Sequence, residues 1–297
     1  MRLLSKSILC TVCMVSILAC EQGESDFSLS PQPIIGETYT YHLESVSTRS
    51  FANDEEVMTQ DYTFSFVFGH IVEGHYPTKA TFESYDIERP EDVRFTEIMA
   101  EVQQRLLSDT AQYTLSPTGA FAYQTTVDYS IFEQADQMDD PEKYIEVMTL
   151  YMEENIRSNH FLEWVAYAPD TTVHRKSTWY TTSDLNLMGL VDIDRTFNWE
   201  VKSVSSSSMK IQGESKVGNF GFKLEDNELA SMNMMFEGTI ISTYNYTLSR
   251  PDNMILQAEI TVETDGIVKN KIDDVLDGSI INEPLIGKAK TTVRRVR

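Results

Sequence analysis

Residues 38–44 alternate without a break. Tyr39, Tyr41 and Leu43 take one phase, and Thr38, Thr40, His42 and Glu44 take the other. A period of two puts the phases on opposite faces of a strand, whereas a helix would scatter them around its axis. The pattern returns in Asp61–Ile71, where Tyr62, Phe64, Phe66 and Phe68 share one face. A strand face this aromatic needs a covering layer, so the chain must build a sheet with one buried face. The polar stretch Arg49–Glu56 reads as a hairpin connection. Gly74 marks a second turn, and Tyr76–Ile87 supplies a third strand with Ala80, Phe82 and Tyr85 on one side. Three strands with short connections make an antiparallel meander.

The period then changes. From Glu91, the residues Val93, Phe95, Ile98, Met99, Val102 and Leu106 recur at helical spacing, and Pro90 with the acids Glu91 and Asp92 suits a helix start. Tyr113 and Leu115 resume a strand, Pro117-Thr-Gly119 is a turn, and Phe121–Tyr129 is a further strand. Asp139-Asp-Pro-Glu142 opens a second helix over roughly 141–157, with proline placed for the first turn. Its stripe of Tyr144, Ile145, Met148, Met152 and Ile156 is expected to pack on the aromatic sheet face. A further turn or helix with Phe161, Leu162, Trp164 and Val165 ends before Pro169. Strands return from Ser177: Arg195–Val204 with Phe197, Trp199 and Val201 alternating, Met209–Val217, Gly218–Leu224, Met232–Leu248 with a break near Gly238, and Met254–Thr264. The last segment, Ile286–Arg297, holds five cations and no acid. It is expected to pair as an edge strand, and its charge against the acidic body implies internal electrostatic docking or a free basic tail. The sum is an α+β fold: a curved, mainly antiparallel sheet of open half-barrel type with two or three packed helices.

The front of the chain has a different character. Arg2 and Lys6 precede an apolar run from Ile8 to Leu18, followed by Ala19-Cys20. A basic stretch, a short apolar stretch and a small residue before the cut describe a secretory signal. Eleven apolar residues are too few for a spanning helix. With the cysteine directly after the small residue, Ile17-Leu-Ala-Cys20 resembles a lipobox. That resemblance implies cleavage between Ala19 and Cys20, a diacylglycerol thioether on Cys20, further acylation by a fatty acid such as palmitate, and a membrane anchor. Glu rather than Asp at position 21 then favours the outer membrane. The expected organisation is a signal peptide over 1–19, a lipidated flexible tether over 20–33 with Pro31 and Pro33, and one domain over 34–297.

Several function classes drop out. Cys10 and Cys13 leave with the signal and Cys20 is consumed by lipid, so no disulfide, thiolate metal site or cysteine nucleophile is expected. Removing Arg2 and Lys6 takes the formal charge from −22 to −24, which argues against nucleic acid. At 41% hydrophobic the chain can bury a core. No Gly-x-Ser-x-Gly elbow, GxGxxG or Walker loop occurs, and the serines Ser205–Ser208 read as a turn. Asp192 and Asp194 share a face of a strand about 7 Å apart. Paired carboxylates can hold calcium or do acid–base work, but with Val191 and Ile193 in the other phase they read as the wet face of a strand. Asp273-Asp274 and Asp277-Gly278 lack the order of a calcium loop. His70 and His75 flank the Gly74 turn without metal-ligand spacing. No cofactor, no metal and no catalytic residue is expected, and the chain is not expected to be an enzyme.

With the segments placed, Gly36-Glu-Thr-Tyr-Thr-Tyr, Leu115-Ser-Pro-Thr-Gly119 and Lys176-Ser-Thr-Trp179 resemble a family of uncharacterised bacterial envelope lipoproteins, over most of 34–297. The architecture is also similar to half-barrel lipoprotein carriers, whose sheet shelters acyl chains beneath helices; this is a likeness of fold alone. It implies a non-catalytic outer-membrane lipoprotein, on the periplasmic face or the cell surface, that binds a hydrophobic ligand or an envelope partner. The alternative is a hydrolase of envelope or glycan substrates using carboxylates such as Asp192 and Asp194.

Overall fold

The computed structural model describes residues 26–51, 54–88, 93–124, 141–159, 164–187, 191–224, 232–272 and 280–296. Ala19, Cys20, Phe161, Leu162 and the run from Asp273 to Gly278 lie outside them.

Among the described residues twelve strands dominate: β1 (Thr38–Phe51), β2 (Asp54–Phe68), β3 (Tyr76–Glu88), β4 (Thr110–Leu115), β5 (Phe121–Tyr123), β6 (Thr178–Leu187), β7 (Val191–Val204), β8 (Ser208–Val217), β9 (Phe220–Leu224), β10 (Met232–Ser249), β11 (Ile255–Ile272) and β12 (Ile280–Arg295). Two helices, Val93–Ser108 and Pro141–Asn159, interrupt them. The antiparallel sheet runs β5-β4-β3-β2-β1-β12-β11-β10-β8-β7-β6, with β9 paired to β10, and its ends do not meet. The expected sheet is present, but the balance is nearer all-β than α+β.

The largest departure is β12. A segment with five cations reads locally as an edge, yet β12 lies between β1 and β11 and joins the two halves of the sheet. Its alternation explains how. Val293 and Thr291 are buried on the inner face, whereas Lys288, Lys290 and Arg294 are exposed on the outer one. Lys288 Nζ reaches Glu263 at 2.7 Å, and Arg295 Nη1 reaches Asp252 at 3.1 Å. The basic residues thus dock on acids of this same domain.

The inner face of β1–β4 carries the aromatic rows. Tyr41, Phe64, Phe66 and Phe82 are fully buried, and cross-strand register sets Tyr41 beside Phe64 and Tyr39 beside Phe66. The first helix lays Ile98, Met99, Val102 and Leu106 on this layer. The second helix packs mainly on the first helix and only at its margin on β5, so its expected seat on the sheet is corrected. Ile145, Met148, Met152 and Ile156 are half-buried against the core, and its fully buried apolar side chain is Val147. Arg157 ties the two helices: its Nε donates to Glu153 at 3.0 Å, its Nη2 to the Arg105 carbonyl at 3.4 Å, and its own carbonyl accepts from Tyr113 at 2.9 Å.

Among the described residues, the segment Trp164–Ala168 reaches from the aromatic rows of β1 and β2 to β6 and β10. Trp164, Val165, Ala166, Tyr167 and Ala168 are all buried and belong to no helix or strand, where a turn or helix is expected. Trp164 stands edge-on to Tyr41, Phe66 and Phe121. Tyr167 and Ala168 donate their N–H groups to the Thr118 carbonyl, and the Tyr167 carbonyl accepts from Trp179 Nε1 at 2.8 Å. Below this segment lies a second aromatic group of Trp179, Phe197, Trp199, Tyr244 and Tyr246.

The stretch read as a tether is seated on the domain from Phe27 onward. Phe27 bridges Val173, Leu29 is wholly buried, and the Asn253 amide donates to the Ser28 and Ser30 carbonyls. Gln32 N–H donates to the Asp252 carbonyl. Prolines that read as linker here hold an extended segment against the β10–β11 turn.

Candidate ligand-binding face

β1, β10, β11 and β12 are 14 to 18 residues long, far beyond the usual five or six. They extend beyond the covering layer formed by the described residues. In the covered part the inner positions are buried: Leu248, Tyr246 and Tyr244 on β10, Ala258 and Ile260 on β11, Val293 on β12. Further along the same face, Ile240, Val262, Thr264, Val268, Leu285 and Ala289 are only half-buried. Gly238 pairs with Gly266 there, and the Phe236 ring lies over both, within 2.9 Å of where a Cβ would sit on either. The inner face therefore passes from a closed aromatic core to a partly open apolar surface.

Arg195 lies at that passage. It is 4% exposed, on the inner face of β7 between Ile193 and Phe197, both buried. Its Nη1 donates to the Tyr244 hydroxyl at 3.4 Å, and its guanidinium lies 5.3 Å from the Phe197 ring centroid. Nε and Nη2 have no hydrogen-bond partner, and neither has the buried Ser215 hydroxyl. Register places Ser215 beside Phe197 on one side and beside Ser242, also buried, on the other. Four charged side chains are buried among the described residues: Glu154, Arg157, Arg195 and Asp252. Arg157 has Glu153, Asp252 has Arg295, and Glu154 accepts from Tyr123 at 3.4 Å. Among the described residues no carboxylate pairs with Arg195. Sequence reading passes over this residue as the start of a strand, although a signal is there. Arg195 sits in the apolar phase of Ile193, Phe197, Trp199 and Val201, and a cation in the buried phase of an alternating strand is exceptional.

The weak metal candidates lie elsewhere. Asp194 is exposed on the outer face, and Asp192 holds a same-face position two residues before it. Register sets Asp194 opposite Asp184 and Asp192 opposite Asn186. Converting both to asparagine is expected to change unfolding free energy by less than about 0.5 kcal/mol, as for exposed sites generally. Loss of the domain's fold in that double variant would give the pair a structural role. A different trio comes together on the outer face: His42 Nε2 lies 3.5 Å from Glu44, and His42 Nδ1 lies 3.7 Å from Asp61 and 3.3 Å from Thr63 Oγ1. One ligand atom from each of the three lies within 4.8 Å of the others, so the trio converges on an exposed point of the outer face. His42 and Glu44 are adjacent in one phase of β1, but Asp61 joins them only through the β1–β2 register. His70 and His75 are exposed at the β2–β3 connection, and His75 Nδ1 contacts the Glu73 carbonyl at 3.1 Å.

The groups with shifted proton affinity are tyrosines. Burial raises Tyr41, Tyr85, Tyr113 and Tyr167 well above the usual phenol range. Tyr123 is pushed up to about 12, by burial first and the neighbouring Glu154 second. These phenols are neutral in the fold and ionise more readily once unfolded. Their contribution is complete below pH 10 and is lost as pH climbs through 10 to 12 and beyond. Stability is therefore expected to fall in that alkaline window, with tyrosinate absorbance rising together with the loss of tryptophan burial. Ionisation of the buried phenols Tyr41, Tyr85, Tyr113 and Tyr167 well before unfolding would contradict it.

No described helix is long and apolar enough to cross a membrane. No family model matches the chain, and no curated protein matches it. Among solved structures, one of lipovitellin, described for its lipid–protein interactions, aligns with 89% of this chain at 10% identity and a TM-score of 0.41. This chain spans about a quarter of that one, 25%. A mutant porin of Rh. blastica aligns over 87% of this chain and 99% of its own at 7% identity and a TM-score of 0.19. An outer membrane channel from Pseudomonas putida F1 aligns over 91% and 99% at 8% identity and a TM-score of 0.19. All of these scores lie below 0.5, and no function is drawn from them.

Proposed function

We propose that this chain is a lipid-anchored outer-membrane protein that binds an apolar ligand on the inner face of its sheet without catalysis. The carrying observation is the passage on that face from covered aromatic core to half-buried Ile240, Val262, Val268, Leu285 and Ala289. A sheet that only needed a core would end where its cover ends. Half-open, contiguous apolar surface is where soluble domains place ligands or partners. The chemistry of the domain is consistent with binding. Its shifted groups are buried phenols dispersed through the core, and Asp194 is on the opposite, wet face, which disfavours the carboxylate hydrolase.

The anchor reading rests on the lipobox resemblance at Ile17-Leu-Ala-Cys20. Five residues separate Cys20 from Asp26, a reach of about 20 Å when extended. Exposed Ile34, Ile35, Val67, Ile71 and Val72 cluster at the start of β1 and the β2–β3 connection. A lipid on Cys20 would hold this apolar end toward the bilayer.

Two measurements test the proposal. Cys20→Ser is expected to move the full chain out of the carbonate-washed membrane pellet and to leave the signal uncleaved. Retention in the pellet overturns the anchor. Mass spectrometry of lipid copurifying with the detergent-purified protein is expected to find an apolar species near one per chain. Finding no species above that bound by an unrelated lipoprotein overturns the ligand reading.

A further inference from the structure

We propose that Arg195 is a head-group anchor: with the hydroxyls of Ser215 and Tyr244 it holds an oxyanion, carboxylate or phosphate, borne by a molecule whose apolar tail lies along the half-open inner face. This names the ligand class for the binding reading above and rests on it.

A guanidinium cannot shed its proton in a protein, so burial does not neutralise Arg195 as it would a lysine. A buried charge lacking a counter-charge is strongly destabilising. Arg157 and Asp252 show how this fold treats the problem elsewhere, with Glu153 and Arg295 respectively. Among the described residues Arg195 has no such partner: its guanidinium meets the Tyr244 hydroxyl and the Phe197 ring, and register sets Ser183 beside it and Ser215 beside Phe197.

The unpartnered atoms are informative. Nη1 is engaged by Tyr244, while Nε and Nη2 have no partner. Nε and Nη2 form one edge of the guanidinium, and their parallel N–H bonds match the two oxygens of a carboxylate or phosphate. Ser215, also unpartnered and buried, supplies a hydroxyl on the adjoining strand. One cation and neutral hydroxyls suit a head group of low charge. The tail follows from register. Ser215 pairs with Ser242, and Ser242 pairs with Val262. Ile240 is the next inner position on β10 after Ser242, so the half-buried apolar surface begins one step beyond the hydroxyls.

The test uses the full chain in nonionic-detergent micelles, followed by tryptophan fluorescence on heating. The probes are octanoate, octyl phosphate and octanol, which share a tail and differ in head. Octanoate or octyl phosphate is expected to raise the melting temperature more than octanol, and the stronger of the two identifies the head group as carboxylate or phosphate. Arg195→Met is expected to erase the advantage of the anions, leave the octanol response, and unfold no earlier than wild type without ligand. Should Arg195→Met fail to fold, Arg195→Lys keeps the charge but loses the paired N–H edge. It is expected to weaken the anionic probe about tenfold with octanol unchanged. Equal responses to octanol and the anions in wild type overturn the anchor while the apolar-ligand reading stands. An anion advantage that survives in Arg195→Met overturns Arg195 as its source. No response to any tailed probe overturns both.

Discussion

Trp164→Ala is expected to cost about 3–5 kcal/mol of unfolding free energy, the range for deleting a buried tryptophan. The ring meets Tyr41, Phe66 and Phe121 edge-on, with centroids at 4.9, 5.9 and 5.5 Å, and lies 6.3 Å from Phe64. Edge-to-face pairs add to simple burial because the positive ring edge meets a negative face. The surrounding rows belong to β1 and β2, whose register is fixed by ladder bonds, so they cannot collapse into the space left behind. Urea unfolding read by circular dichroism measures the loss. A cost below about 1 kcal/mol would mean that the segment 164–168 does not seal this half of the sheet.

Gly119→Ala comes next, at about 2–5 kcal/mol, from two independent causes. Gly119 has φ of +90°, a conformation unfavourable for a residue with a Cβ. A Cβ there would also lie 2.2 Å from Tyr167 Cε1, and that ring is buried, with its hydroxyl bonded to the Asn253 carbonyl at 2.8 Å. The ring has no room to retreat, so the turn must shift and loosen the Thr118 carbonyl from the Tyr167 and Ala168 N–H groups. Combining Gly119→Ala with Tyr167→Ala separates the causes. The double variant is expected to be more stable than the sum of the single costs predicts, because the steric part vanishes with the ring. Strict additivity would assign the whole loss to backbone strain.

Both predictions concern contacts that no local pattern announces, and Arg195 shares that property. The alternating strands were readable because one face is buried throughout their upper half. Tyr39, Tyr41 and Leu43 declare their phase within seven residues, and the first helix does so through Ile98, Met99, Val102 and Leu106. The second helix was readable as a helix but not as to its seat. An apolar stripe states which side is buried, and only the tertiary structure chose the first helix over the sheet. The segment Trp164–Ala168 has five consecutive buried residues and so carries neither period. Its backbone is satisfied by Thr118 and Trp179, which no local rule brings together.

What the sequence by itself determined is therefore period: which stretches are strands, which are helices, and which phase of each seeks burial. Partnership was left to the tertiary structure. β12 shows the reason most plainly. Its lysines and arginines state an affinity for water and acids, which an edge strand or a tail would satisfy equally well. Burial of Val293 and Thr291 between β1 and β11 decided the matter, through pairings 246 residues apart such as Ser45 with Thr291 at 2.9 Å. Arg195 follows the same logic. Its phase in β7 was written in the chain, but its want of a counter-charge among the described residues emerged only when Tyr244 and Phe197 were folded against it. Local sequence sets the preference of a side chain for burial or water, and long-range pairing decides what it meets there.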